Sequence, residues 1–251
     1  MNVQTELIPG IYNYCDTWCE RCLFTSRCRS FQIQTETGLT KPMEAGPDLI
    51  NQLTDALNLT KQYIENLSRS GALTGPDAPA DTTVQTLEEN ALPKPVQVGQ
   101  HPVAQLANSY LKHTGDWLRQ EKHLLEQAGE QQLREVSLGF RTQEESMPIL
   151  HALRDAWEII NWYRTLIPVK TQSALRALSE ADEKIKIYHL GKAKLVLVSI
   201  DRSLAAWQTI LTQYPDKTDN LLDVLALLSR LRRELETLFP TARAFQRPGL
   251  D

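Results

Sequence analysis

Over residues 102–239 apolar side chains return every three or four positions, and no segment of the chain alternates strictly between turn residues. A period near 3.6 places those side chains along one face of a helix, whereas a strand needs a period of two. The chain is thereby restricted to an all-α fold, a helical bundle of four or five long helices. Val103, Leu106, Tyr110, Leu111, Trp117, Leu118, Leu124 and Leu125 predict one helix over about 102–138, weakened locally by Gly115 and Gly129. Ile149, Leu150, Leu153, Trp157, Ile160 and Leu166 predict another. It starts at Ser146 as N-cap and is ended or kinked by Pro168, with a short helix over 171–178 to follow. A third, over about 182–214, is apolar all round from Leu195 to Ile200, which marks a helix buried in the middle of the bundle. The last covers 221–239 and stops at Pro240.

Upstream, Leu49, Ile50, Leu53, Leu57, Ile64 and Leu67 predict a helix over 47–67. Residues 70–101 are rich in Pro, Gly, Ala and Thr without a stripe and read as a linker. The organisation is then a Cys-rich metal-binding segment at 1–35, a first bundle helix within 36–69, the linker at 70–101, the main bundle at 102–240 and a tail at 241–251. The tail reads as mobile, or held by Phe245 alone.

The chain's four cysteines all fall within the stretch YNYCDTWCERCLFTSRCRSF, as Cys15, Cys19, Cys22 and Cys28 in a C-x3-C-x2-C-x5-C spacing. The N-terminus lacks the basic and apolar regions of a secretory signal, and no run of residues is apolar enough to span a bilayer. A cytoplasmic, reducing compartment is the expectation, and there such a group is a metal site rather than a pair of disulfides. Structural zinc draws its thiolates from two knuckles separated by a dozen or more residues, because two hairpins must meet around one ion. Four ligands from one winding loop instead suit a [4Fe–4S] cluster, with zinc, or a reactive or structural thiol group without metal, as the alternatives. Arg21, Arg27 and Arg29 interleave with the ligands and would offset the cluster's negative charge. Tyr12, Tyr14, Trp18, Phe24 and Phe31 either shield it from water or anchor the loop.

Two family resemblances attach to these residues. CERCLFTSRC resembles the C-x2-C-x5-C segment of the iron–sulfur nucleases related to RecB, which implies cluster binding by Cys19, Cys22 and Cys28. The strand-borne acidic pair and E-x-K of the nuclease core have no counterpart here, so nuclease activity is not implied. CDTWCERC resembles the C-x3-C-x2-C spacing of radical-SAM enzymes, whose three thiolates leave one iron open. Arg21 stands where that family places an aromatic residue, and Cys28 supplies a fourth ligand. The opening PGIYNYCDTWCERC is also similar to that of bacterial proteins of unassigned function.

Elsewhere the signals are sparser. His151, Asp155 and Glu158 share one predicted helical face, and His113 and Asp116 share another, so facing helices could build a second metal site. Mutually paired surface side chains are the simpler expectation. Trp157, Trp162, Tyr163 and Trp207 read as core packing. Asp201-Arg202, interrupting an apolar helix, reads as part of an inter-helix network. A net charge of −4 gives no basic footprint for nucleic acid, and membrane association is not expected. The sequence therefore points to a metal-binding helical protein whose cluster has a structural or redox-sensing role, with a protein partner. An enzyme working between the helices, near His151, Asp155 and Glu158, is the other class.

Overall fold

The computed structural model describes residues 6–36 and 95–251. The chain divides into two units, residues 1–29 with 93–251, and residues 30–92. The second unit is described only for residues 30–36, which continue helix α1 (Arg29–Glu36). The expected helix at 47–67 and the linker up to residue 94 lie outside the described residues.

The first unit is a bundle of helices: α2 (Pro95–Gln100), α3 (Pro102–Gln120), α4 (Leu124–Ser137), α5 (Gln143–Leu175), α6 (Glu183–Gln213) and α7 (Thr218–Leu238). Among the described residues there is no strand, and no helix is long and apolar enough to cross a membrane. The all-α bundle is thus the fold. Helices α5 and α6 form the most extensive pair, α3 packs on α5 and α7, α7 on α6, and α4 on α5. The apolar run in α6 is central as expected: Leu195, Val196, Leu197 and Ile200 are buried, with Trp207 and Ile210 further on. Tyr110, Ile160, Ile167, Leu221 and Leu228 close on them from the neighbouring helices.

Three boundaries differ from the sequence expectation. The helix expected over 102–138 breaks at residues 121–123, away from either glycine. Glu121 turns inward there to the Lys217 ammonium at 3.0 Å, and the Tyr214 hydroxyl donates to the Leu124 carbonyl at 2.9 Å. Tertiary partners, not a local breaker, set that corner. Helix α5 starts one turn earlier than Ser146. Thr142 is its cap: the Thr142 hydroxyl accepts from Glu145 N at 3.3 Å and the Glu145 carboxylate accepts from Thr142 N at 2.9 Å. Pro168 does not end α5, which runs to Leu175; the proline is buried against the core, which compensates the lost backbone donor. Part of the expected linker is also ordered, as α2.

The tail is docked by more than Phe245. Arg243 reaches Asp201 and Glu236, Ala242 is buried, and Arg247 clasps Asp251 at 2.7 Å. Asp201 also meets Arg232, while Arg202 turns the other way, so the two charged neighbours on α6 serve separate networks.

Candidate metal centre

The cysteine segment is a chain of short 3-10 turns, Ile11–Asn13, Cys19–Arg21 and Thr25–Arg27. The second and third repeat one geometry: Cys22 N donates to the Cys19 carbonyl and Cys28 N to the Thr25 carbonyl, both at 3.2 Å. Cys22 and Cys28 each leave their turn in an extended conformation. Chain entering the segment is tied on by Ile8 N to the Arg27 carbonyl at 3.0 Å and by Arg27 Nε to the Glu6 carbonyl at 3.0 Å.

A loop this short has no core of its own, so it borrows one from α5 and α6. Asp16 is the main anchor. Its Oδ2 accepts from the Tyr163 hydroxyl at 2.6 Å and from Arg202 at 2.9 Å, its Oδ1 accepts from Trp18 N at 3.3 Å, and its carbonyl accepts from Trp162 Nε1 at 3.1 Å. Arg202 also donates to the Tyr163 hydroxyl at 2.6 Å. Burial, then the bond to Asp16, pushes the Tyr163 phenol up to about 12. Thr17 follows with φ 59°, the sole non-glycine positive φ among the described residues. A β-branched residue in that region is strained, so the Asp16 contacts hold the turn against a local cost.

Aromatic rings make the remaining contacts. Trp18 stacks on Trp162 with centroids 4.9 Å apart, and the Arg21 guanidinium covers the Trp18 ring at 4.3 Å. Tyr14 enters a notch between Tyr188 and Phe245, 6.0 and 5.1 Å away. The notch exists because position 191 of α6 is glycine: a Cβ there would collide with the Tyr14 ring. Lys192, the next residue, donates to the Asn13 carbonyl. Of the aromatics expected around the cluster, Tyr14 and Trp18 are anchors, Phe24 lines an adjoining cleft, Tyr12 is exposed, and Phe31 belongs to the second unit.

All four cysteines are free thiols, each partly buried. Burial raises the Cys15 thiol, and the charges of Asp16, Cys28 and Cys22 add to that effect while a backbone bond from Thr17 opposes it. Cys19 is raised by burial and then by Cys15, Cys22 and Cys28. Cys15 is thus within electrostatic reach of Cys22 and Cys28, and Cys19 of Cys15, Cys22 and Cys28. Phe24 N donates to Cys22 Sγ at 3.4 Å, a bond that strengthens as the sulfur becomes anionic. Among the described residues no three His, Cys, Asp or Glu side chains converge as ligands of a single ion. A cleft of about 390 Å³ adjoins the loop, lined by Cys15, Cys22, Trp18, Tyr163, Arg202 and Arg247 among others.

The other sequence candidates are engaged elsewhere. Asp155 and Glu158 both receive Arg21, Glu158 at 2.6 Å, and Arg154 adds a second contact to Glu158. His151 is exposed on the same helix. His113 Nδ1 meets the Ser109 carbonyl at 2.8 Å, and Asp116 pairs with Arg119. These five side chains are not gathered at one point. Of the residues that do gather at the cysteine loop, Tyr163 reads in sequence as core packing and Arg202 as part of an inter-helix network, whereas Asp16, Gly191 and Lys192 carry no sequence signal.

The chain matched no family model, no curated protein and no solved structure in comparisons with each.

Proposed function

We propose that Cys15, Cys19, Cys22 and Cys28 hold a [4Fe–4S] cluster that either fastens the N-terminal loop to α5 and α6 or senses redox state, in a cytoplasmic protein acting through a protein partner. One observation carries this reading. Four partly buried free thiols lie on one loop, and the residues between them are fixed to two core helices. When bound, such a cluster supplies one-electron chemistry and four ligand bonds. A cubane spaces its thiolates more widely than a single tetrahedral ion, so its seat need not bring three donors to one point. Asp16, Trp18 and Tyr14 orient the loop; the backbone amide of Phe24 stabilises the Cys22 thiolate. The loop depends on α5 and α6 for its packing, through Asp16 and its partners Tyr163 and Arg202. Zinc in the same thiolate set is the alternative occupant.

A second reading rests on the cleft. Cys15 and Cys22 face about 390 Å³ of space beside Tyr163 and Arg202, which would let a small molecule reach the centre and make the protein an enzyme with the cluster as electron source or brace.

The test is the variant Cys22→Ser. Anaerobically prepared wild-type protein should absorb near ~400 nm, and the variant should lose that band and most of its iron. A variant with undiminished metal would show that the ligand set is wrong.

A further inference from the structure

Cys19 and Cys22 stand at the two ends of one tight turn. The 3-10 turn Cys19–Arg21 is closed by Arg21 N to the Trp18 carbonyl at 3.1 Å and by Cys22 N to the Cys19 carbonyl at 3.2 Å. Such a turn brings its first and fourth Cα atoms within about 7 Å, and a disulfide needs Cα atoms about 4.4–6.8 Å apart. Side chains three residues apart on a 3-10 turn also eclipse, so both Cβ atoms leave on the same side. Cys22 keeps that direction: its φ of −83° is near the helical range, and its ψ of 125° turns only the chain that follows.

The other thiols are not matched in this way. The equivalent turn Thr25–Arg27 leads into Cys28, but its first residue is a threonine. Between Cys15 and Cys19 the chain passes through Thr17 at φ 59°, and the Cys15 thiol is turned back to the Tyr12 carbonyl at 3.7 Å. The turn of Cys19 and Cys22 is moreover held from outside. Trp18 stacks on Trp162, and Arg21 is bound by Asp155 and Glu158 of α5. Anchoring of this kind removes freedom that the pair would otherwise lose on closing. Cys22, unlike Cys19, lines the cleft beside the loop, and Phe24 N donates to its sulfur at 3.4 Å.

We propose that Cys19 and Cys22 are a redox-active dithiol, closed to a disulfide by exchange with a small-molecule disulfide of the glutathione type that enters the cleft. The Cys22 thiolate attacks one sulfur of the oxidant, breaking its S–S bond and releasing one thiolate. The Cys19 thiolate then attacks the Cys22 sulfur of the mixed disulfide and expels the second. The protein gives up two electrons and two protons, and the oxidant leaves as two thiols. This step goes beyond the metal reading and does not rest on it, because all four thiols are free. Where a metal is bound the two states exclude each other, since sulfurs joined to one another are lost as ligands.

The experiment treats reduced, metal-free, full-length protein with oxidised glutathione and maps the products by peptide mass analysis. The chain should lose two hydrogens through one bond joining Cys19 to Cys22, and the double variant Cys15→Ser/Cys28→Ser should do the same. Within that background, Cys19→Ser should stop with glutathione attached to Cys22. Cys22→Ser should gain its adduct about tenfold more slowly, because Cys19 does not line the cleft. Bonds scattered over other pairs, or a wild-type protein that stops at the glutathione adduct, would overturn the proposal and leave the metal reading standing. Equal adduct rates in the two variants would overturn the assignment of Cys22 as the attacking sulfur. A protein that closes this bond but binds no metal when supplied with iron and sulfide or with zinc would support the proposal and overturn the metal reading alone.

Discussion

Asp16 makes the largest number of contacts between the cysteine loop and the bundle, and its consequences can be measured without any metal. In Asp16→Ala, Tyr163 and Arg202 lose their shared acceptor and Trp162 keeps only the backbone contact. Arg202 is partly solvated, so the loss should stay near the low end for a charged bond, about 1–2 kcal/mol by urea unfolding of the metal-free protein. Tyr163 adds a pH signature. Its folded pKa is about 12, against an ordinary value of 10.0, so its contribution is complete below pH 10 and is lost as pH rises through the folded value. Melting temperature should fall between pH 10 and 12 in wild type and fall less steeply in Tyr163→Phe. At Gly191 the prediction is steric. Gly191→Ala must expel the Tyr14 ring from between Tyr188 and Phe245, costing about 1–3 kcal/mol and making the loop more sensitive to protease than the helices. None of these roles has a pattern in one dimension. A glycine in a buried helix and an aspartate beside a cysteine gain meaning only when the loop and α6 meet.

At the scale of elements, what the sequence conveys is period, and period is enough to find α3 to α7. Val103, Tyr110 and Trp117 of the stripe and the apolar run ending at Ile200 reappear as the buried faces of α3 and α6. Boundaries were less legible because distant partners decide them. The corner at Glu121 depends on Lys217, almost a hundred positions away, and the passage of α5 through Pro168 depends on burial rather than propensity. The start of α5 was a local signal overlooked: Thr142 with Glu145 three residues on is a capping box. Thr142→Ala should lower stability by about 1 kcal/mol by chemical denaturation. The bonds to Thr142 hold the Glu145 carboxyl below its ordinary value, so the cap is intact above the unfolded carboxylate range and weakens as pH falls through the folded value. The difference between wild type and Thr142→Ala should accordingly shrink in acid. A constant difference would mean that the Glu145 arm of the box does not form.

For the whole molecule, the fold and the candidate centre are linked by dependence in one direction. The bundle has its own core cluster of Trp207, Tyr110, Ile160 and Leu228, to which no residue of the cysteine loop belongs, although Ile11 of the loop is itself buried. The loop, by contrast, packs on α5 and α6 through Asn13, Tyr14, Asp16, Trp18 and Arg21. Loss of the centre should therefore increase amide exchange over residues 11–28 far more than over α5 to α7. The four cysteines themselves were legible at once, because thiols packed into fourteen residues are a compositional fact. Arg21 and Arg27, which lie between the cysteines in sequence, face carboxylates and a backbone carbonyl instead. The central claim is that these sulfurs bind a cubane, and metal analysis of anaerobically purified native protein tests it most directly. The account predicts ~4 iron and ~4 acid-labile sulfide per chain; a colourless protein holding one zinc, with no sulfide, would contradict it.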